Sequence, residues 1–294
     1  MKVATPIVDV DANLGEGAIW DSKSQILYWL DINSHKIFTY DPSSNTNRSI
    51  DVHEYPSTIV PRESGGVVIT IKNGFASLDL DTGKMKMIAE VENDIEDTRF
   101  NDGKCDPTGR FWAGTMQLNH ENGRGSLYVL DIDHSVRKLL SNVSCSNGIV
   151  WSFDNRTMYY IDSLRQAVHA YDYNNITGTI DNERVVISIP IEEGIPDGST
   201  IDSEGMIWVA IFGGSKVNRY DPRTGEKIDT VEVPNARCVT SCALGGADFR
   251  DLYITTSKAL FIYENDNPQK HSLGGWLFKT RVDVPGIPAI SYKG

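Results

Sequence analysis

Short runs that alternate apolar and polar residues recur along the whole chain. They are rich in Tyr, Ile, Val and Trp, and clusters of Asp, Asn, Gly and Pro separate them. Alternation with a period of two places successive side chains on opposite faces of a β-strand, whereas the longer period of an amphipathic helix is almost absent here. The pattern therefore predicts an all-β protein.

One larger pattern repeats along the chain. Each copy has an apolar run, a polar turn and a second run that often ends in Tyr-Asp or Leu-Asp. The copies begin at Ile26, Gly66, Gly109, Arg156, Gly205 and Arg250. Their spacing of roughly 40 to 50 residues is typical of propeller blades with about four strands. We therefore predict a six-bladed β-propeller with four antiparallel strands per blade.

The two ends of the chain lie outside these copies. The segments from Lys2 to Asp11 and from Trp276 to Tyr292 are both strand-like, and we expect them to share the blade that closes the ring. No linker, charge block or low-complexity run divides the sequence. Residues 1–294 are therefore predicted to form a single propeller domain.

Charge and composition narrow the possible partners. The 294 residues include 28 basic and 40 acidic side chains, a net charge of −12, which disfavours nucleic acid and anionic membranes. The N-terminal sequence MKVATPIVDVDANLG lacks the apolar core of a signal peptide, and no apolar run is long enough to span a membrane. We expect a cytoplasmic protein, a monomer or a weak homodimer, with a small-molecule partner.

The stretch RFNDGK, from Arg99 to Lys104, concentrates more polar groups than a surface turn needs. We expect it just ahead of an inner strand, RFWAGTM, with its side chains at the mouth of the central channel. Glu16, Asn147 and Asp197 are predicted to occupy the equivalent place in other blades. Each lies beside a glycine, which allows close backbone approach.

Glu16, Asn147 and Asp197 offer two carboxylates and one amide oxygen, a set of hard ligands for a divalent cation in the central channel. Any one of these residues alone is more often an ordinary turn residue. Their similar placement in separate blades favours a metal site. No serine–histidine–acid grouping offers an alternative, but His120, in the loop QLNHENGRG, is placed to reach over the channel as a lid.

Several motifs in a fixed order resemble the gluconolactonase, regucalcin (senescence marker protein) and luciferin-regenerating enzyme family. They are LGEGAIW, RFNDGKCDPTGRFWAGTM, SNGIVWS, MYYIDS and IPDGSTIDSEGMIWVA, and the similarity covers nearly the whole chain. The resemblance implies a six-bladed propeller with one catalytic metal ion in its channel. It implies Glu16, Asn147 and Asp197 as metal ligands, and Arg99 and Asn101 as residues that bind a sugar lactone.

One position departs from the family pattern. The regucalcin branch has a substrate-binding glutamate shortly after the G-T-M motif, and Asn119 stands at that place here. Substrate preference is therefore not inherited from that branch. Asn119, His120 or Glu121 is expected to contact substrate with a different geometry.

The resulting hypothesis is a metal-dependent hydrolase that opens a sugar (aldono)lactone to the aldonic acid, with Asp197 as both ligand and general base. Ca²⁺, Mg²⁺, Mn²⁺, Zn²⁺ and Fe²⁺ all remain candidates for the cofactor. One alternative is a calcium-binding regulatory propeller of the regucalcin type with incidental hydrolysis. Another is a protein-interaction propeller, which the single Trp20-Asp21 pair disfavours because a WD repeat would recur in each blade.

Overall fold

A computed structural model describes residues 2–119, 121–258 and 271–294. Within them the chain forms 25 strands and two short 3₁₀ turns, Ser163–Arg165 and Ile191–Glu193. The prediction of an all-β fold is confirmed. None of the helical segments in these residues is long and apolar enough to cross a membrane.

Four sheets each contain four consecutive antiparallel strands. The first sheet consists of β3 (Gly15–Asp21), β4 (Ile26–Asp31), β5 (Lys36–Asp41) and β6 (Thr46–Asp51). The second consists of β7 (Thr58–Pro61), β8 (Val67–Ile71), β9 (Gly74–Leu78) and β10 (Met85–Glu90). The third consists of β11 (Thr98–Cys105), β12 (Phe111–Gln117), β13 (Gly125–Leu130) and β14 (Val136–Val143). The fourth consists of β15 (Ser146–Trp151), β16 (Thr157–Asp162), β17 (Ala167–Asn174) and β18 (Thr179–Ser188).

The remaining strands form a nine-stranded sheet that contains two further runs of four. One run is β19 (Ile195–Ile201), β20 (Ile207–Phe212), β21 (Lys216–Tyr220) and β22 (Lys227–Glu232). The other is β23 (Cys238–Gly245), β24 (Asp251–Ser257), β25 (Leu277–Arg281) and, from the N-terminus, β2 (Thr5–Val8). A single bridged pair, Phe212 with Cys238, joins the two runs, and β1 (Lys2–Val3) lies parallel to β22.

The two ends of the chain meet in the last run of strands. Strand β2 pairs antiparallel with β25, with Thr5 opposite Lys279 and Pro6 opposite Phe278. This pairing confirms the expectation that the terminal segments share one sheet. It also covers an edge of β25 that would otherwise present unpaired backbone groups.

The first strand of each four-stranded run faces a common centre. In chain order, β3, β7, β11, β15, β19 and β23 each contact the next, and β23 contacts β3. The residues of β7 and β15 are buried throughout. Four-stranded antiparallel sheets with their first strands in contact around a centre are consistent with a β-propeller.

The hydrophobic core lies in layers between successive sheets. Trp112 of β12, for example, packs edge-on against Trp151 and Tyr173 of the next sheet, with ring centroids 5.8 and 6.0 Å apart. The buried carboxylate of Asp106 crosses the same layer, because its Oδ2 accepts from Trp112 Nε1 at 2.9 Å and from the Tyr173 hydroxyl at 2.7 Å. Neighbouring sheets are thus held together by apolar packing and by buried hydrogen bonds.

The predicted position of RFNDGK was wrong by one strand. Arg99 to Lys104 lie within β11, the first strand of the third sheet, and RFWAGTM forms the second strand, β12. Polar side chains on β11 face the centre and therefore interrupt the apolar alternation from which strands were predicted. The inner strands are for this reason the ones that the sequence pattern identified least well.

Candidate metal and substrate site

The candidate residues lie where the inner strands are irregular. The pairing register shifts between Glu16 and Ile19 in β3, and between Phe100 and Gly103 in β11. Similar shifts follow Ser146 in β15 and Pro196 in β19. A β-bulge inserts an extra residue, bends the strand and redirects side chains, and such bulges are frequent beside active sites. Here they direct polar side chains from several sheets toward one another.

Arg99, Asn101 and Asn147 form one hydrogen-bonded chain across two sheets. Arg99 Nη1 donates to Asn101 Oδ1 at 2.7 Å and to the carbonyl oxygen of Phe100 at 2.8 Å. Asn101 Nδ2 in turn donates to the carbonyl oxygen of Ser146 at 2.8 Å and to Asn147 Oδ1 at 3.2 Å. Asn101 of the proposed substrate-binding pair therefore contacts the proposed metal ligand Asn147 directly, and Arg99 is linked to Asn147 through Asn101.

The orientation of the Asn147 amide is fixed from its other side. Asn147 Nδ2 donates to Ser163 Oγ at 2.7 Å, and the Ser163 hydroxyl donates its own proton to the carbonyl oxygen of Pro196 at 2.7 Å. Because the Ser163 hydroxyl donates its one proton to Pro196, its oxygen can only accept the hydrogen bond from Asn147. The amide oxygen of Asn147 is therefore the end that faces Asn101, and it keeps a second lone pair for a ligand.

Three carboxylates are buried in the same region: Glu16, Asp102 and Asp197 are 4%, 3% and 7% exposed. Glu16 Oε2 accepts only from the backbone N–H of Gly17, at 3.0 Å, among the hydrogen bonds of the described residues. Asp102 Oδ2 and Asp197 Oδ1 are buried without a hydrogen-bond partner in the described part of the chain. A buried acceptor without a donor is costly, which indicates that a ligand or water completes the site.

The electrostatics of the site are dominated by these acids. Burial and the charge of Asp102 raise the pKa of Glu16 from 4.5 to about 8. Burial, followed by the charges of Glu16 and Asp102, raises the pKa of Asp197 well above its ordinary value. Arg99, also buried, opposes both shifts. The charge of Lys104 also acts on Glu16 and Asp102. Arg99 and Lys104 together still leave the three carboxylates short of positive charge.

These features fit a divalent cation. The available donors are all oxygens, which suits a hard cation, and added positive charge would relieve the repulsion between the acids. No group of three or more His, Cys, Asp or Glu side chains in residues 2–119, 121–258 and 271–294 is arranged to hold a metal ion. A cation at this place would therefore depend on Asn147 as the third ligand beside Glu16 and Asp197.

Asn119, in the loop proposed as a lid, has no hydrogen bond to this cluster in the described part of the chain. Asn119 is exposed, and its backbone N–H donates to Gln117 Oε1 at 2.8 Å. Among the described residues, no hydrogen bond joins its side chain to Arg99, Asn101 or Asn147. His120 lies outside the described residues. A substrate contact by Asn119 or His120 therefore remains a prediction.

Two residues of the site were not assigned from the sequence. Asp102 lies inside the polar stretch RFNDGK, and the concentration of polar residues there was its only sequence signal. Ser163 follows Asn147 by 16 positions and carries no sequence signal, because only the folded chain brings its hydroxyl to the amide.

Comparisons with known proteins agree on one family. The protein-family model described as the SMP-30/Gluconolactonase/LRE-like region matches residues 14–258 of this chain. A regucalcin from Danio rerio is 42% identical over 284 residues, which cover 96% of this chain and 95% of the relative. A solved luciferin-regenerating enzyme superposes with a TM-score of 0.94 at 32% identity and full coverage of both chains.

A second solved structure, a calcium-binding regucalcin from Agrobacterium tumefaciens, superposes with a TM-score of 0.93 at 28% identity. The match covers 100% of this chain and 98% of that one. Sequence and structure thus agree along nearly the whole length. The chain belongs to the SMP-30/gluconolactonase/LRE-like family.

Proposed function

We propose that the protein is a metal-dependent hydrolase that opens a sugar lactone to its aldonic acid. The observation that carries this proposal is the cluster of buried carboxylate and amide oxygens beside a buried arginine. The family, whose description includes gluconolactonase, supports the same activity. A neutral, hydroxyl-rich substrate also suits a chain with a net charge of −12.

The proposal includes a six-bladed propeller that forms one domain from residue 1 to residue 294. The closed ring of contacts among β3, β7, β11, β15, β19 and β23 supports this count. So does the nine-stranded sheet, since a single bridged pair joins its two four-stranded runs. The cation site then lies in the central channel, where the bulges of several inner strands converge.

Glu16, Asn147 and Asp197 are the residues that would hold the cation. When bound, a divalent ion would polarise the lactone carbonyl and make a water molecule more acidic. The bulges fix the three side chains on separate sheets, and the hydrogen bond that Asn147 Nδ2 donates to Ser163 Oγ keeps the amide oxygen of Asn147 turned inward. All three ligands are thus preorganised by the fold.

Asp197 is the proposed general base. It accepts a proton from the water whose oxygen adds to the carbonyl carbon of the lactone. The bond between the carbonyl carbon and the ring oxygen then breaks, and the ring oxygen leaves as a hydroxyl group that takes up the proton. Arg99 remains charged at working pH and stabilises negative charge that develops on the substrate, while Asn101 orients it.

A second candidate function is calcium binding with a regulatory role. It is favoured by the regucalcin relatives, one of which is described as a calcium-binding protein. Ca²⁺ usually takes six to eight oxygen ligands, whereas the proposed set supplies three from side chains. The open positions leave room for water and substrate and therefore favour catalysis.

The test measures the hydrolysis of a panel of five- and six-membered aldonolactones, with proton release as the signal. Protein stripped with EDTA is supplied with Ca²⁺, Mg²⁺, Mn²⁺, Zn²⁺ or Fe²⁺ in turn. We expect turnover that requires a cation and that is abolished in Asp197→Asn but retained in the exposed control Asp81→Asn. Thermal unfolding checks that both variants fold.

The outcomes separate the two functions. Cation-dependent turnover of one lactone would support the hydrolase and name its substrate and metal. Tight Ca²⁺ binding without turnover of any lactone would favour the regulatory function. Turnover that persists in EDTA and in Asp197→Asn would contradict the proposed site.

A further inference from the structure

The loop that follows β12 leaves its strand beside the candidate site. Met116, one residue before the end of β12, pairs with Arg99 of β11. The Sδ atom of Met116 lies 3.7 Å from Cys145 Sγ, and that sulfur accepts a weak hydrogen bond from Asn147 Nδ2 at 3.7 Å. The loop therefore begins next to residues that are proposed to bind the substrate and the cation.

Gln117, the last residue of β12, is buried and uses both ends of its amide. Its Nε2 donates to Asp97 Oδ2 at 2.9 Å, and its Oε1 accepts from the backbone N–H groups of Asn119 at 2.8 Å and Glu121 at 3.1 Å. Because a carboxylate only accepts and a backbone N–H only donates, these partners fix the orientation of the amide. The backbone of the loop is thus held by one buried side chain.

Two further hydrogen bonds fix the loop to the chain just ahead of two inner strands. Near its start, the N–H of Leu118 donates to the carbonyl oxygen of Asp97 at 2.8 Å. Near its end, the N–H of Gly123 donates to Ser144 Oγ at 3.1 Å. Asp97 immediately precedes β11, and Ser144 lies two residues before β15. The loop is therefore anchored to the two strands that carry the candidate substrate residues and the amide ligand.

The position of Gln117 has a different use in two other sheets. In the first and fourth sheets the second strand ends at Asp31 and Asp162. Their carboxylates accept from backbone N–H groups just ahead of the inner strand of the same sheet. In the third sheet the side chain holds the loop instead. This arrangement needs an amide, because the group must donate to Asp97 and accept from the loop at the same time.

We propose that Gln117 is a positioning residue for the substrate, because with Asp97 it fixes the loop after β12 as a preformed wall beside Arg99. This inference rests on the proposed hydrolase function. Gln117 acts through the backbone of the loop and contacts neither the cation nor the reacting carbonyl group. A wall that is ordered before binding reduces the conformational entropy lost when the lactone binds. Loss of Gln117 should therefore weaken substrate binding without changing cation binding or the chemical step.

Gln117→Met keeps the length of the side chain and removes its three hydrogen bonds. We expect KM for the best lactone to rise about tenfold, with kcat within about twofold and the cation affinity unchanged, as for a loss of uniform binding. Asp97→Asn keeps an acceptor oxygen for Gln117 Nε2 and should retain the wild-type KM. Asp97→Ala removes that acceptor and should raise KM, which provides a second test if Gln117→Met fails to fold.

Asn218→Leu is the matched control. Asn218 is a buried amide of β21 that donates to Glu193 and to the Tyr220 hydroxyl and accepts from Thr230. Its loss should lower Tm about as much as Gln117→Met and leave KM unchanged, which separates positioning from stability. Hydrogen exchange of the backbone amides, followed by NMR, needs no activity. We expect the N–H groups of Asn119 and Glu121 to exchange slowly in the wild type and in Asn218→Leu, and rapidly in Gln117→Met.

An unchanged KM in Gln117→Met, or an equal rise of KM in Asn218→Leu, would overturn this inference and leave the hydrolase in place. If the wild type turns over no lactone, the hydrolase proposal fails, and calorimetry of the Ca²⁺-loaded protein with δ-gluconolactam then tests Gln117 separately. This lactam has the ring and hydroxyl groups of the lactone but a stable amide bond. Binding about tenfold weaker in Gln117→Met would support the positioning role. Equal binding in both proteins, or no binding to the wild type, would overturn it.

Discussion

Replacing Glu16 with glutamine is expected to stabilise the cation-free protein. Burial and the charge of Asp102 raise the pKa of Glu16 from 4.5 to about 8. One pKa unit corresponds to about 1.36 kcal/mol, and pH 7 lies about 2.5 units above the ordinary value, so the carboxyl group costs the folded state about 3 kcal/mol at that pH. The glutamine amide itself destabilises the folded state by about 1 kcal/mol, because its N–H groups are incompletely hydrogen-bonded there. The net gain is therefore about 2 kcal/mol, or roughly 4 °C in Tm.

The sign of the pH dependence follows from proton binding. Between pH 4.5 and about pH 8 the unfolded chain has released the Glu16 proton, whereas the folded chain retains it. The folded state therefore binds more protons, and the stability contributed by this group falls as pH rises through that range. Glu16→Gln removes this slope, so its advantage should grow between pH 5 and pH 8.

Urea unfolding in EDTA at pH 5, 7 and 8 measures both effects, with the exposed Glu63→Gln as the matched control. Added Ca²⁺ at about 100 times its Kd should stabilise the wild type by about 2.7 kcal/mol and leave Glu16→Gln nearly unchanged. A Glu16→Gln protein that is less stable than the wild type at pH 7 in EDTA would refute the reasoning. It would mean that Glu16 is paired in the folded state rather than repelled.

Three further substitutions test the surroundings of the site. Arg99→Lys keeps the charge but loses the planar fork, so kcat/KM for a lactone should fall about 100-fold with Tm little changed; equal activity would remove Arg99 from the mechanism. Tyr173→Phe removes the 2.7 Å hydrogen bond to Asp106 and should lower the free energy of unfolding in urea by about 2 kcal/mol. A decrease below about 0.5 kcal/mol would show that this hydrogen bond does not hold the two sheets together. Gly148→Ala would place a Cβ 2.4 Å from Ser199 Oγ, which should lower the free energy of unfolding by about 1–3 kcal/mol and weaken cation binding. An unchanged affinity for the cation would show that the inner strands can move apart.

The alternation and the repeat spacing were sufficient to predict an all-β chain built of four-stranded units. Both signals are local, since the period of a strand and the chemistry of its turns depend on neighbouring residues. The inner strands were less well predicted. Strand β11 carries Arg99, Asn101 and Asp102 at a bulge that faces the centre, so it lacks the alternation seen in β12.

The sequence by itself determined the fold class, the family resemblance and the candidate residues Glu16, Asn147 and Asp197. It supplied the residue types, with a glycine beside each. Only the tertiary structure decided which groups meet. Asn101 contacts Asn147 across 46 positions of sequence, and Ser163 fixes the amide of Asn147. Such contacts depend on how separate sheets pack around a common centre, and no local pattern encodes that packing.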